Sequence, residues 1–193
     1  LVDELDWKFR DGVSLVPVLD ARGRMVAIAS PTNDSFTVGS HHVGKDQPTF
    51  VIAEIGNNHQ GNVDLAKQLV DLAVEAKADC VKFQLRDMDA LYRGASGKIT
   101  AGEDLGAQYT LDLLTRFSLP APKMIEVFDH CRDKGIDIMC TPWDLPSLEV
   151  LLEYGIDGLK IASADLTNHA LLTAAAKENL PMIVSTGMST EDE

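Results

Sequence analysis

From Phe50 onward the chain repeats one pattern: a short apolar run, a turn, then a stretch with apolar residues at helical spacing. This alternation restricts the fold more than any other feature. Runs at 50–55, 80–84, 137–141, 158–163 and 182–186 read as β-strands. Helices are expected over 63–77, 122–134, 146–154 and 169–178. In the first, Leu65, Ala66, Leu69, Val70, Ala73 and Val74 fall on one face. Gly135 is placed to close the second. The connection over 85–120 is longer, with a helix expected within 109–117, and "STED" at 189–192 reads as another helix start. Strictly repeated β–α units imply a parallel sheet, either doubly wound or a (β/α)8 barrel. The segment after the first strand, "GNNHQG", lacks the G-x-G-x-x-G dinucleotide pattern, which weakens the doubly wound nucleotide-binding reading.

Residues 1–49 do not share this pattern. Apolar runs at 13–19 and 25–29 flank a turn-like 20–23, which predicts a β-hairpin. Its "PVLD…G" resembles the second half of a CBS motif; the alternative is a hairpin ending some other preceding domain. "SPTNDS" at 30–35 reads as a linker, and "FTVGSHHVG" as a second hairpin. The expected organisation is therefore 1–31 as the tail of a preceding domain, 32–49 as linker and hairpin, and 50–193 as the β–α region. The first residue is Leu, and the reading is of a segment from a longer chain.

Composition narrows the partners. Of 193 residues, 45% are hydrophobic and 24% charged, so a packed core is expected. Asp and Glu number 30 against 17 Lys and Arg, a net charge of −13, the wrong sign for broad nucleic-acid backbone binding. A small anion held by a few local cations stays possible. No apolar run approaches the roughly 18 residues of a membrane span. Cys80, Cys131 and Cys140 show no paired spacing and read as reduced thiols of a cytoplasmic protein.

Strands of a parallel sheet are covered on both faces and should be nearly all apolar. Here polar residues recur toward their carboxyl ends: Glu54, Lys82 and Gln84, Thr141, Lys160 and Ser163, Ser185 and Thr186. Catalytic and ligand-binding residues of β/α folds gather at that end. An ammonium in an apolar interior costs several kcal/mol unless paired. Two lysines on different strands, Lys82 and Lys160, point to a fixed anion, with Thr141, Ser163 and Ser185 supplying hydroxyl donors. The competing reading is a structural Lys–Glu network. His41 and His42 read as surface residues of a loop, and no HxH or HxxxH spacing offers a complete metal site. Trp143 and Asp144 either line a pocket wall or pack. Cys140 reads as a buried small hydrophobe rather than a nucleophile.

With these residues in place, the chain resembles the sialic acid synthase family. The resemblance is carried by "AEIGNNHQG", "VKFQ", "CTPWD", "LKIASADLTN" and "IVSTGM", in the family's order over roughly 36–193. It implies a (β/α)8 TIM barrel of which about the first five strands are present, an α/β fold preceded by β-hairpins. It also implies a transferase that condenses phosphoenolpyruvate with an N-acetylmannosamine-type sugar and releases phosphate. On this resemblance Glu54 is the catalytic acidic residue near the reacting carbons. Lys82, Thr141, Lys160, Ser163 and Ser185 match phosphoenolpyruvate-binding positions. Asp165, Gln84 and Asn58 match sugar-side positions.

The resemblance further implies a divalent metal, Mn²⁺ or Mg²⁺, held by histidines of later strands rather than by this segment, and a homodimer at full length. The segment by itself is then expected to be inactive, with two open sheet edges that favour aggregation. The 85–120 connection is a candidate lid or sugar-recognition loop. Two other readings stay open: a related 3-deoxy-octulosonate phosphate type synthase, and a non-catalytic binding or regulatory fragment.

Overall fold

In the computed structural model, residues 16–19, 25–29, 35–91, 105–187 and 189–190 are described, and two compact units divide the chain, Leu1–Phe36 and Thr37–Glu193. The first unit contains the expected hairpin. Strands β1 (Val16–Leu19) and β2 (Met25–Ala29) pair antiparallel, with Val16 opposite Ala29 and an irregularity at Val18/Leu19. Residues 13–15, expected to extend β1, lie outside the described residues.

Strands β3 (Ser35–Val38) and β4 (His41–Gly44) form a second two-stranded sheet. Gly39, between them, takes the left-handed φ of +52°. The expectation of a loop around His41 and His42 is corrected: both lie in β4, and His41 is tied to the main sheet. The reason is a long-range partner, Asp137, which sequence spacing does not reveal.

The main sheet has five strands: β5 (Ile52–Gly56), β6 (Cys80–Leu85), β7 (Asp137–Pro142), β8 (Gly158–Ile161) and β9 (Met182–Val184). All neighbouring pairs are parallel, and spatial order follows chain order throughout. That order separates the two architectures the sequence left open. A doubly wound sheet reverses direction at a switch point, whereas a β/α barrel adds each strand beside the last.

Several of the connecting helices begin where a side chain satisfies a free N–H group, while the helix that follows Pro120 starts without a side-chain cap. Helix α1 (Val63–Glu75) is capped by Asn62, whose side-chain oxygen accepts from the Leu65 N–H at 3.0 Å. The short α2 (Met88–Leu91) follows β6, and α3 (Leu105–Phe117) begins before the expected 109. Residues 92–104 of the candidate lid lie outside the described residues. Helix α4 (Ala121–Lys134) ends at Gly135 with φ +69°. Helix α5 (Leu145–Tyr154) is capped by Asp144, and α6 (His169–Ala176) by Asn168. Of the expected helix start at 189–192, the last two residues lie outside the described residues.

Two strand ends differ from expectation. β8 stops at Ile161 rather than 163, because residues 163–165 turn into a 3-10 segment (Ser163–Asp165) with the Asp165 N–H bonded to the Ala162 carbonyl at 3.0 Å. β9 stops at Val184 rather than 186, although the Ser185 N–H still donates to the Ile161 carbonyl at 3.1 Å.

The pleat sorts the sheet residues onto two faces. Val81, Phe83, Leu85, Ile138, Cys140, Leu159 and Ile161 join helix residues such as Phe128, Leu148 and Leu151 in the main core. Each such fully buried large side chain is worth about 1.5–3 kcal/mol. The opposite face holds a small apolar cluster, Val38, Cys80 and Met139, packed with Val43, Phe50, Ile52 and Ile183. The β3–β4 hairpin thus covers that face toward the amino ends of the strands, and the polar residues occupy it further along.

Candidate active site

The sheet register decides which polar residues meet. Glu54 stands directly opposite Lys82, and Gln84 opposite Thr141. By alternation these share a face with Met139 and Cys80, away from the helices. Lys82 Nζ closes an ion pair with Glu54 Oε2; the Lys82 side chain is 15% exposed and that of Glu54 50%. The carboxylate can therefore reach a ligand while still compensating the sheltered ammonium.

Lys160 lies on β8 opposite Ile183 of β9. Its Nζ donates to the Ile161 carbonyl at 2.7 Å. Burial first, and then the Lys82 ammonium, push Lys160 below the ordinary lysine range, while Glu54 pulls the other way. The two lysines therefore sense each other across β7. Like charges so placed disfavour each other until an anion binds. Thr141, 3% exposed, lies on the intervening strand.

Gly56 ends β5 with φ +52°, and its missing Cβ matters. A Cβ there would lie 3.0 Å from Glu54 Oε1 and 3.3 Å from Gln84 Nε2. Gln84 Oε1 accepts from Arg86 at 2.7 Å and from the Trp143 indole N–H at 3.2 Å. Trp143 is thus part of the polar arrangement and not only packing.

The remaining expected residues are placed less uniformly. Ser163 and Ser185 are half-buried just beyond β8 and β9. Asp165 is 9% exposed; its Oδ1 accepts from Asn168 Nδ2 at 3.1 Å, and its Oδ2 is buried without a hydrogen-bond partner. Asn58 is exposed in the turn after β5, its N–H bonded to the Ile55 carbonyl at 2.9 Å. The buried member of that motif is His59: Nδ1 accepts from the Gly61 N–H at 3.1 Å, and burial holds the imidazole below its ordinary pKa. His59 therefore locks the turn from inside as a neutral ring.

Sequence reasoning did not single out Arg86. The signal was its spacing: two residues after Gln84, it continues the same face past the end of β6. A separate cleft of about 340 Å³ lies between the exit of β6, residues 115–121 and the start of α5. It includes Arg86 but neither Lys82 nor Lys160. The charged cluster, rather than this cleft, is the candidate site, because it joins the Glu54 carboxylate to Lys82 and sets Lys160 near them. Among the described residues no three His, Cys, Asp or Glu side chains converge as a metal site, and the family resemblance places the metal ligands on later strands. No helix among them is long and apolar enough to cross a membrane.

Parallel β–α units in chain order, with a carboxylate, two lysines and a carboxamide on the face away from the helices, define part of a β/α-barrel protein. Residues 69–193 match the model of the NeuB family, and the chain belongs to that family. The spore coat polysaccharide biosynthesis protein SpsE of Bacillus subtilis is 38% identical over 154 residues, which is 79% of this chain and 40% of that protein. The N,N'-diacetyllegionaminic acid synthase of Legionella pneumophila is 35% identical over 149 residues, covering 75% and 41%. The crystal structure of N-acetylneuraminic acid (sialic acid) synthetase from Leptospira borgpetersenii, in complex with citrate, superposes with a TM-score of 0.70 at 32% identity. That match covers 82% of this chain and 51% of the other. The chain thus spans about two fifths of the curated relatives it matches. The family match begins at residue 69 and lends no support to a CBS-like reading of residues 1–31.

Proposed function

We propose that this chain is the first part of the barrel of a nonulosonic acid synthase. The full-length enzyme would condense phosphoenolpyruvate with an N-acetylmannosamine-type sugar and release phosphate. One observation carries the reading: Lys82 and Lys160 share one sheet region with Glu54, and Lys160 is held below its ordinary range by burial and by Lys82. A site with two mutually disfavoured ammonium groups is prepared for an anion. The names of family relatives, synthases of legionaminic and N-acetylneuraminic acids, support the same chemistry.

In this reading Lys82 and Lys160 neutralise the phosphate and carboxylate of phosphoenolpyruvate, and Thr141, Ser163 and Ser185 donate to their oxygens. C3 of phosphoenolpyruvate attacks the aldehyde carbon of the open-chain sugar. Positive charge develops at C2, next to the Glu54 carboxylate. Water adds at C2, with Glu54 orienting it or taking its proton. The tetrahedral product then loses phosphate by C–O cleavage. Asp165 and Gln84 engage the sugar, with Asn58 at the rim.

A divalent Mn²⁺ or Mg²⁺ belongs to the reading of the full-length enzyme, and none of these steps runs through it. The same reading takes that enzyme to be a cytoplasmic homodimer, supported for the compartment by three buried, unpaired cysteines. The test is phosphate release from phosphoenolpyruvate by the full-length protein with N-acetylmannosamine and Mn²⁺. Release is expected. No release with any amino sugar would overturn the reading, and release only with a phosphorylated aldose would move the protein to the 3-deoxy-octulosonate phosphate type.

A further inference from the structure

The Gln84 carboxamide is held from one side only by donors. A guanidinium has no acceptor, and an indole N–H donates only. Both Arg86 and Trp143 reach the same atom of Gln84, at 2.7 and 3.2 Å. That atom must be the carbonyl oxygen. A flipped amide would set its NH₂ against two donors and lose both bonds. The NH₂ group is thereby turned to the opposite side, where it and Glu54 Oε1 flank the space left by the missing Gly56 Cβ.

The two donors are brought there by register. Gln84 pairs with Thr141 and Leu85 with Pro142, so the chains leave the sheet side by side. The Trp143 N–H continues the ladder to the Leu85 carbonyl at 3.1 Å, and Asp144 Oδ2 accepts from the Asp87 N–H at 2.8 Å. The Arg86 guanidinium stacks over the Trp143 ring, 4.7 Å from its centroid. Each donor therefore holds the other in place.

We propose that Arg86 and Trp143 are positioning residues that fix the polarity of the Gln84 carboxamide, so that the site offers an N–H donor beside the Glu54 carboxylate. A ligand is then selected for an acceptor oxygen, carbonyl or hydroxyl, at that point, and a cationic donor is disfavoured there. The orientation rests on geometry alone; that the acceptor is on the sugar rests on the synthase reading.

The experiment uses the full-length protein, with Arg86→Met, Trp143→Phe and Gln84→Ala singly and combined. The Arg86→Met/Trp143→Phe pair is expected to raise KM for the amino sugar by about tenfold, with smaller changes in kcat and in KM for phosphoenolpyruvate. Added to Gln84→Ala, the pair should have little further effect. Full additivity with Gln84→Ala, or an unchanged sugar KM, overturns the proposal. A second readout is independent of turnover: nuclear magnetic resonance of the Gln84 side-chain NH₂. Nitrogen-15 relaxation is expected to show a rigid NH₂ group in the wild type and a more mobile one in the double variant. A mobile NH₂ group in the wild type would refute the positioning role. If the wild type turns over no sugar yet its NH₂ group is rigid and is loosened in the double variant, the synthase reading fails and the positioning role stands.

Discussion

His41 Nδ1 lies 2.7 Å from Asp137 Oδ2, joining strand β4 to the first residue of β7 across nearly a hundred positions of chain. The Asp137 carboxylate also accepts from the Ser40 N–H at 3.1 Å, and the other His41 nitrogen faces Asp79 Oδ1 at 3.5 Å. The imidazole tilts against Phe50, with ring centroids 5.6 Å apart. This contact pins the β3–β4 hairpin at the amino ends of the strands, opposite the end that carries the site.

Asp137→Ala should therefore lower stability, because the Ser40 N–H and His41 lose a nearly buried acceptor. About 2–3 kcal/mol is expected in denaturant unfolding of the full-length protein. Gly39→Ala should be at least as harmful, since its Cβ would sit 2.3 Å from the Asp137 carboxyl carbon at a φ of +52°. Wild-type stability in either variant would show that the hairpin is not pinned this way.

Glu54→Gln keeps the size but removes the charge that faces Lys82 and, in the proposed reaction, the reacting carbons. Phosphate release should fall by at least about 100-fold, while phosphoenolpyruvate binding is retained. Turnover close to wild type would remove Glu54 from the chemistry.

Lys160 gives a pH dependence with a defined sign. Its folded pKa lies below the ordinary value of 10.5. Between the folded value and 10.5 the unfolded chain binds more protons, so this residue's contribution makes stability rise with pH across that window. Lys160→Met should remove that rise. An anion at the site favours the charged lysine, so phosphoenolpyruvate should raise the melting temperature of the wild type more than that of Lys160→Met. Equal ligand shifts in the two proteins would contradict the anion role.

The cysteines should be inert in the native state. Burial pushes the Cys80 and Cys131 thiols up to about 12 and raises Cys140 as well. Iodoacetamide should leave all three unmodified until the protein is unfolded, and then label all three. Rapid labelling of any one in the folded protein would contradict their placement in the core.

The alternation of strands and helices was legible because each element writes its own period into the sequence. Phe83 and Lys82 fall on opposite faces of one strand, and the pleat alone says so. Glu54, Lys82, Thr141 and Lys160 were legible as site candidates for the same reason: charge and hydroxyl groups broke runs that burial should have kept apolar. The cap at Gly135 was similarly local, whereas the caps at Asn62 and Asp144 emerge only in the structure. Asp144, however, serves twice, and its bond to the Asp87 N–H depends on β6 and β7 leaving the sheet together.

Sequence by itself therefore determined the β–α repeat, the polar set near the carboxyl ends of the strands and the family resemblance, because these depend on residues a few positions apart. Only the tertiary structure decided that strand order follows chain order, that His41 belongs to Asp137, and that Arg86 and Trp143 meet at one oxygen of Gln84. Those facts depend on register between strands dozens of residues apart. A register shift of one residue would send Lys82 and Gln84 to the helix side and turn Val81, Phe83 and Leu85 away from it. Burial of Val81, Phe83 and Leu85 against the helices selects the observed register, and with it the pairing of Glu54 with Lys82.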